Sequence, residues 1–122
     1  MLLSRESTDA NHHIKSVKEG EFIIADKHYH TSLIVSPTTI ETWPPESIED
    51  IVSSSFDKAL ALKPEVLILG TGETQIFPDQ ALLTACYQQH LSIEVMNTYS
   101  AAKTYNILAA DERHVVALLM LP

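Results

Sequence analysis

Two short loops carry the residues of this sequence that are best suited to bind a ligand. Gly70-Thr71-Gly72 follows an apolar run, and Asn97-Thr98 follows a second strand pattern. A helix pattern separates the two, so the loops should leave the carboxyl ends of neighbouring parallel strands and share one edge of the sheet. Thr98 or Asn97 would cap the next helix, whose free N–H groups and positive dipole end can bind a carboxylate or phosphate.

Lys103 adds a positive charge about one turn into the same helix, near an end that is already positive. The lysine gains nothing from the helix dipole there, and a bound anion would explain it. An anion or polar-ligand site is therefore predicted at Gly70, Thr71, Gly72, Asn97, Thr98 and Lys103. The alternative is structural, because helices begin after strands in every α/β domain and exposed lysines are ordinary solubilising residues.

Motifs for other chemistry are incomplete. Gly70 and Gly72 do not form a dinucleotide-binding fingerprint, because its third glycine would fall on Gln75. The sequence has neither a Gly-Lys-Ser/Thr phosphate loop nor a Gly-x-Ser-x-Gly elbow. Glu73 and Glu94 have no identifiable acid–base partner. No cofactor and no catalytic residue are predicted, and a non-enzymatic protein is favoured over an enzyme.

Four further side chains have two interpretations each. His28 and His30 project to one face of a predicted strand, as a pair of metal ligands would, but they lack further ligands, so no metal is predicted and an exposed polar face is favoured. Cys86 is expected to be a buried small hydrophobe rather than a nucleophile. Trp43 either pins its proline-rich loop over the core, which is favoured, or offers an aromatic anchor to a partner chain.

Composition limits the class of protein. The chain has 122 residues, of which 45% are hydrophobic and 20% charged, enough for one buried core. We expect a flexible N-terminal arm at residues 1–13 and a single α/β domain at 14–122. The formal net charge of −8 argues against nucleic acid and anionic lipid as partners. No apolar run approaches the roughly 18 residues of a membrane span, and the protein is predicted to be cytoplasmic, without membrane insertion.

The hydrophobic pattern predicts the order of elements. Strands are expected at residues 14–17, 22–25 and 29–35, as an antiparallel meander, and at 66–69, 91–96 and 114–121. Helices are expected at residues 48–62, after 77–79, and at about 99–110. The first helix would direct Ile48, Ile51, Val52, Phe56, Ala59 and Leu60 toward the core. Residues 38–45 are expected to form a loop.

Three segments together resemble a known family. They are Leu69-Gly70-Thr71-Gly72, residues 93–98, and residues 101–108 with Thr104-Tyr105-Asn106. The family consists largely of uncharacterised proteins; it includes the respiratory complex I assembly factor three, the adipogenesis-associated domain proteins and many single-domain bacterial members. Residues 14–121 follow its order of elements. Asn97 stands where the family usually carries an aspartate, and Lys103 where a basic residue, often arginine, is usual.

The resemblance implies a three-layer α/β fold with a mixed central sheet and a β-meander on one side. The last strand would be antiparallel to the others or parallel to them; the sequence leaves its direction open. For function, the resemblance implies a non-enzymatic assembly factor or adaptor with a protein partner. The alternative is a small-molecule binding protein or enzyme that uses the anion site. A homodimer formed through an exposed strand edge or helix face is a further prediction.

Overall fold

The computed structural model describes residues 12–122, apart from the side chain of Ala85, and arranges the strands in two sheets. The strands are β1 (Ile14–Lys18), β2 (Glu21–Ile24), β3 (Lys27–Tyr29), β4 (Leu33–Ser36), β5 (Thr39–Thr42), β6 (Val66–Gly70), β7 (Ser92–Met96) and β8 (Val115–Leu119). The first three form an antiparallel sheet, β1-β2-β3. The other five form a mixed sheet in the order β5-β4-β8-β6-β7. The predicted α/β class, mixed sheet and antiparallel meander are confirmed.

The helices pack on both faces of the large sheet and complete the three layers. They are α1 (Asp57–Ala61), α2 (Gln80–Tyr87) and α3 (Thr98–Ala110). Phe56, Ala59 and Cys86, from the α1 and α2 region, belong to the core on one face. On the other face, α3 and the small sheet share a second core that includes Tyr105 and Phe22. A sheet covered on both faces explains why the central strand β8 is apolar and buried at every position.

The direction of the last strand is resolved. β8 is parallel to β6 and antiparallel to β4. β6 is also parallel to β7, so β6, α2 and β7 form the predicted βαβ unit. β7 is the edge strand of the large sheet. The strand that leads into the Asn97-Thr98 loop therefore lies at the margin of the large sheet.

The predicted meander strand at residues 29–35 is wrong in its extent. It is two strands, β3 and β4, and β4 leaves the small sheet to pair with β8. Residues 39–42, predicted as loop, form β5, which pairs with β4 from Ser36↔Thr39 to Leu33↔Thr42. Pro37 and Thr38 make the connecting turn, so the proline ends β4 and also returns the chain as a hairpin.

The predicted helix at residues 48–62 is also wrong in its extent, since only Asp57–Ala61 is α-helical. The segment forms two 3₁₀ turns, Ile48–Asp50 and Ser53–Phe56, before the short helix α1. Ser55 Oγ accepts a hydrogen bond from the Val52 N–H at 3.0 Å. Such local side-chain bonds compete with the α-helical pattern. Ile51, Phe56 and Ala59 are buried as expected, but Val52 is 56% exposed.

The predicted N-terminal arm lies almost entirely outside the described residues. Its last two residues, His12 and His13, precede β1. The His12 ring is half-buried, and its Nδ1 lies 2.7 Å from the Ser36 carbonyl oxygen. The domain limits stay a prediction.

Candidate functional site

The two loops singled out in the sequence lie side by side at one edge of the large sheet. Gly70, at the end of β6, pairs in register with Met96, at the end of β7. The Thr71 N–H donates to the Met96 carbonyl at 2.9 Å, and the Thr98 N–H donates to the Gly72 carbonyl at 2.8 Å. The polar backbone of each loop is thus partly satisfied by the other.

Thr98 joins three segments of the chain at this edge. Its side chain is fully buried. Its Oγ accepts from the Gly72 N–H at 2.7 Å and donates to the Met120 carbonyl at 2.7 Å. The hydroxyl therefore holds the β6 loop and the end of β8 against α3. The hydroxyl therefore already donates one hydrogen bond and accepts another within the fold.

Asn97, and not Thr98, caps α3. Its side-chain Oδ1 accepts from the Ser100 N–H at 2.9 Å. Together with the bond from Thr98 to Gly72, this bond occupies two of the first three N–H groups of the helix. An aspartate at position 97 would cap in the same way, so the asparagine keeps the capping function without the charge.

Close packing or backbone conformation explains why both loop positions are glycine. A Cβ at Gly70 would lie 3.0 Å from the Ala101 Cβ and 3.0 Å from the Thr98 Oγ. Gly72 has φ +92°, and a Cβ there would lie 3.3 Å from the Leu121 carbonyl oxygen. The small residues let α3 approach the end of β6 closely. These contacts explain the Gly-x-Gly pattern without a ligand.

Thr71 shapes the loop that follows β6. Its Oγ donates to the Thr74 carbonyl at 2.6 Å and accepts from the Ile76 N–H at 3.0 Å. The residue is 7% exposed. Lys103, the sixth residue of α3, is exposed. The predicted anion site thus brings five residues together at the sheet edge, with the lysine on the helix surface, and anion binding stays a prediction.

The Thr104-Tyr105-Asn106 motif fastens the small sheet to α3. The Asn106 side chain accepts from the Ile14 N–H at 2.8 Å and donates to the Ile14 carbonyl at 2.8 Å. Tyr105 is fully buried, and burial raises the pKa of its hydroxyl far above the ordinary value. Asn106 was not among the predicted site residues, because its partner, Ile14, lies 92 positions away in the sequence.

His28 and His30 lie on either side of one carboxylate. His28 Nδ1 is 2.8 Å and His30 Nε2 is 3.3 Å from the same oxygen of Glu21. The hydrogen bond from His28 is the largest cause that lowers the pKa of Glu21 below its ordinary value. Within residues 12–122, no group of three or more histidine, cysteine or acidic side chains is arranged to hold a metal ion.

Cys86 and Trp43 are both buried. Cys86 is fully buried, and burial raises the pKa of its thiol. Trp43 is 1% exposed, and its indole N–H donates to the Ser55 carbonyl at 2.8 Å. The prediction that Trp43 pins its loop over the core is confirmed.

An apolar groove on the α2 face was not anticipated from the sequence. We call it the Val52–Phe77 groove; it is lined by Ile48, Glu49, Ile51, Val52, Ser53, Phe77, Pro78, Asp79 and Leu82. Its volume is about 440 Å³. Phe77 is 63% exposed, and the neighbouring Ile76 is 43% exposed. The sequence signal for this groove is the apolar run Ile76-Phe77-Pro78 directly before a helix. By itself, such a run predicts only the start of the helix.

Among the helices of residues 12–122, none is long and apolar enough to span a membrane. The 13 kDa major membrane protein of Francisella tularensis subsp. holarctica (strain LVS) is nevertheless 30% identical over 122 residues, which cover 98% of this chain and 99% of that protein.

A second relative is the human NADH dehydrogenase [ubiquinone] 1 alpha subcomplex assembly factor 3. It is 29% identical over 123 residues, which cover 99% of this chain and 66% of that protein. This chain thus spans just under two thirds of the length of the assembly factor.

A solved structure has the same fold. The crystal structure of a Bordetella parapertussis protein superposes with a TM-score of 0.84 at 29% identity and covers 89% of this chain and 94% of that one. The family model described as "Protein of unknown function (DUF498/DUF598)" matches residues 14–120. The chain therefore belongs to the DUF498/DUF598 family.

Proposed function

We propose that this protein is a non-enzymatic assembly factor or adaptor that acts by binding another protein in the cytoplasm. The observation that carries the proposal is the similarity to the human assembly factor 3, which extends over 99% of this chain. The shared region is therefore the whole fold rather than one motif. A function common to the two proteins would have to reside in this domain.

The hydrogen bonding at the sheet edge supports the same proposal. The Thr98 hydroxyl and the Gly72 N–H are bonded to each other, and the Asn97 side chain caps its own helix. A ligand at this edge would have to replace bonds that hold the fold together. Each buried group that such a ligand left without a hydrogen-bond partner would cost about 1–3 kcal/mol.

Affinity capture from native lysate under gentle extraction tests the proposal. The tagged protein should recover a reproducible protein partner in near-stoichiometric amount, and the tag alone should not. An empty capture would count against the adaptor function. The mass of the captured complex in solution would also separate a different partner from a second copy of this chain, since the homodimer stays a prediction.

The competing function is the binding of an anionic small molecule, or an enzyme built on that site. The exposed amino group of Lys103 on α3 is the feature that favours it. Thermal-shift measurements with acidic metabolites distinguish the two functions. The adaptor proposal expects the wild type and Lys103→Ala to respond identically. A stabilisation that is lost in Lys103→Ala would favour the anion site.

A further inference from the structure

The Val52–Phe77 groove exposes apolar side chains that the fold leaves uncovered. Phe77 is 63% and Val52 is 56% exposed, and both line the groove. Ile48, Ile51 and Leu82 form its floor and pack against the core below. Covering Phe77 and Val52 would be favourable, because it removes their apolar surface from water.

The charged residues that line the groove itself are acidic. Glu49 and Asp79 line it directly. An adjoining cleft of about 380 Å³, which shares Val52, adds Asp50 and Lys58. The Lys58 ammonium is paired with the Glu41 carboxylate at 3.2 Å. The carboxylates therefore give the groove a negative rim.

The negative charge of the groove rim favours one kind of binding partner. A negative rim around an apolar floor complements a segment that carries both basic and apolar side chains. A second copy of this chain would be repelled on average, because each copy carries a formal net charge of −8. Anionic lipid headgroups would be repelled for the same reason. A groove of this volume accepts a few side chains from one face of a helix, as in helix-in-groove recognition.

We propose that the Val52–Phe77 groove binds a basic amphipathic segment of a partner protein. The apolar side chains of that segment cover Phe77 and Val52, and its lysines or arginines face Glu49 and Asp79. The assignment rests on the proposed adaptor function and adds the site and the chemistry of the partner.

The probe is a synthetic amphipathic helical peptide with leucines on one face and lysines on the other, followed by fluorescence anisotropy. A scrambled peptide of the same composition controls for simple charge attraction. We expect the wild type to bind the amphipathic peptide more tightly than the scrambled one. Phe77→Ser should weaken binding about tenfold or more, as expected for a central aromatic anchor.

Two further variants separate the contributions of charge and apolar contact. Glu49→Gln together with Asp79→Asn should weaken binding and reduce its dependence on salt, while asparagine retains the helix cap at position 79. Ile107→Ser is the matched control, because Ile107 is 69% exposed but lies on α3, on the other face of the sheet. It should leave binding unchanged. Thermal melting of each variant verifies that it is folded.

Several results would overturn the proposal. They are equal binding of both peptides, equal affinity in wild type and Phe77→Ser, or a loss in Ile107→Ser as large as in Phe77→Ser. Binding of neutral phosphatidylcholine vesicles that disappears in Phe77→Ser would assign the groove to lipid instead. Dissociation of a wild-type dimer by Phe77→Ser would assign it to a second copy.

The groove and the adaptor function can fail separately. A lysate partner that Phe77→Ser captures as well as the wild type does would overturn the groove and leave the function standing. Peptide binding that depends on Phe77, with no partner captured from lysate, would support the groove chemistry and count against the adaptor function.

Discussion

Replacing Thr98 by valine tests whether the sheet edge is held by hydrogen bonds. Valine keeps the size and branching of threonine but removes the hydroxyl that accepts from the Gly72 N–H and donates to the Met120 carbonyl. Both backbone groups would lose this partner at a fully buried position. At about 1–3 kcal/mol for each group, the free energy of unfolding should fall by about 2–6 kcal/mol. That is a large part of the 5–15 kcal/mol typical of a domain.

The assay is urea denaturation at equilibrium, compared with two further variants. Thr98→Ser retains the hydroxyl and loses only a methyl group, so it should cost about 1 kcal/mol and be more stable than Thr98→Val. Thr84→Val makes the same substitution at an exposed position and should change stability by less than about 0.5 kcal/mol. A Thr98→Val variant more stable than Thr98→Ser would be the contradicting result, because packing would then outweigh the hydrogen bonds at position 98.

Three further predictions concern other contacts. Gly70→Ala should lower the free energy of unfolding by about 1–3 kcal/mol, because the new Cβ meets Ala101 and Thr98 at 3.0 Å; urea denaturation measures it, and an unchanged midpoint would contradict the close packing. Asn106→Leu should remove the two bonds to Ile14, and faster hydrogen exchange of the Ile14 amide, without a similar change at Val116, is the expected result. The pKa of Glu21 is depressed in the folded state, so its contribution to stability is present above the unfolded pKa and is lost as the pH falls through the folded value. Carboxyl NMR titration should find that pKa below the ordinary range in wild type and closer to it in His28→Leu, which has no side-chain donor; equal values would show that His28 is not the cause.

Local sequence patterns predicted the large elements well. The apolar runs of β6 and β8 indicated buried strands, and the strand–helix–strand order indicated a parallel unit, because both signals are carried by adjacent residues. The closeness of the Gly70-Thr71-Gly72 and Asn97-Thr98 loops followed from that topology.

The errors arose where a local signal competed with another interaction. The apolar spacing of residues 48–60 fits a helix, but bonds such as the one between Ser55 and Val52 favour 3₁₀ turns and leave Val52 exposed. The predicted meander strand was interrupted because β4 gains β8 as a partner, and β8 comes from the far end of the chain.

In the candidate site, too, the sequence did not reveal contacts between residues that are far apart along the chain. The sequence identified Thr98 as a candidate ligand-binding residue. Its hydroxyl instead donates to the backbone carbonyl of Met120, which lies 22 positions away. Asn106 was missed for the same reason. Residue types alone do not distinguish a hydroxyl that is free to bind a ligand from one that is bonded within the fold.

The adaptor function is tested most directly by the ratio of captured partner to bait, measured by quantitative mass spectrometry from native lysate. The wild type and Ile107→Ser should each recover one protein partner in a near-equal molar amount, and Phe77→Ser should recover much less of it. The contradicting result is a wild-type capture in which no protein approaches the amount of the bait.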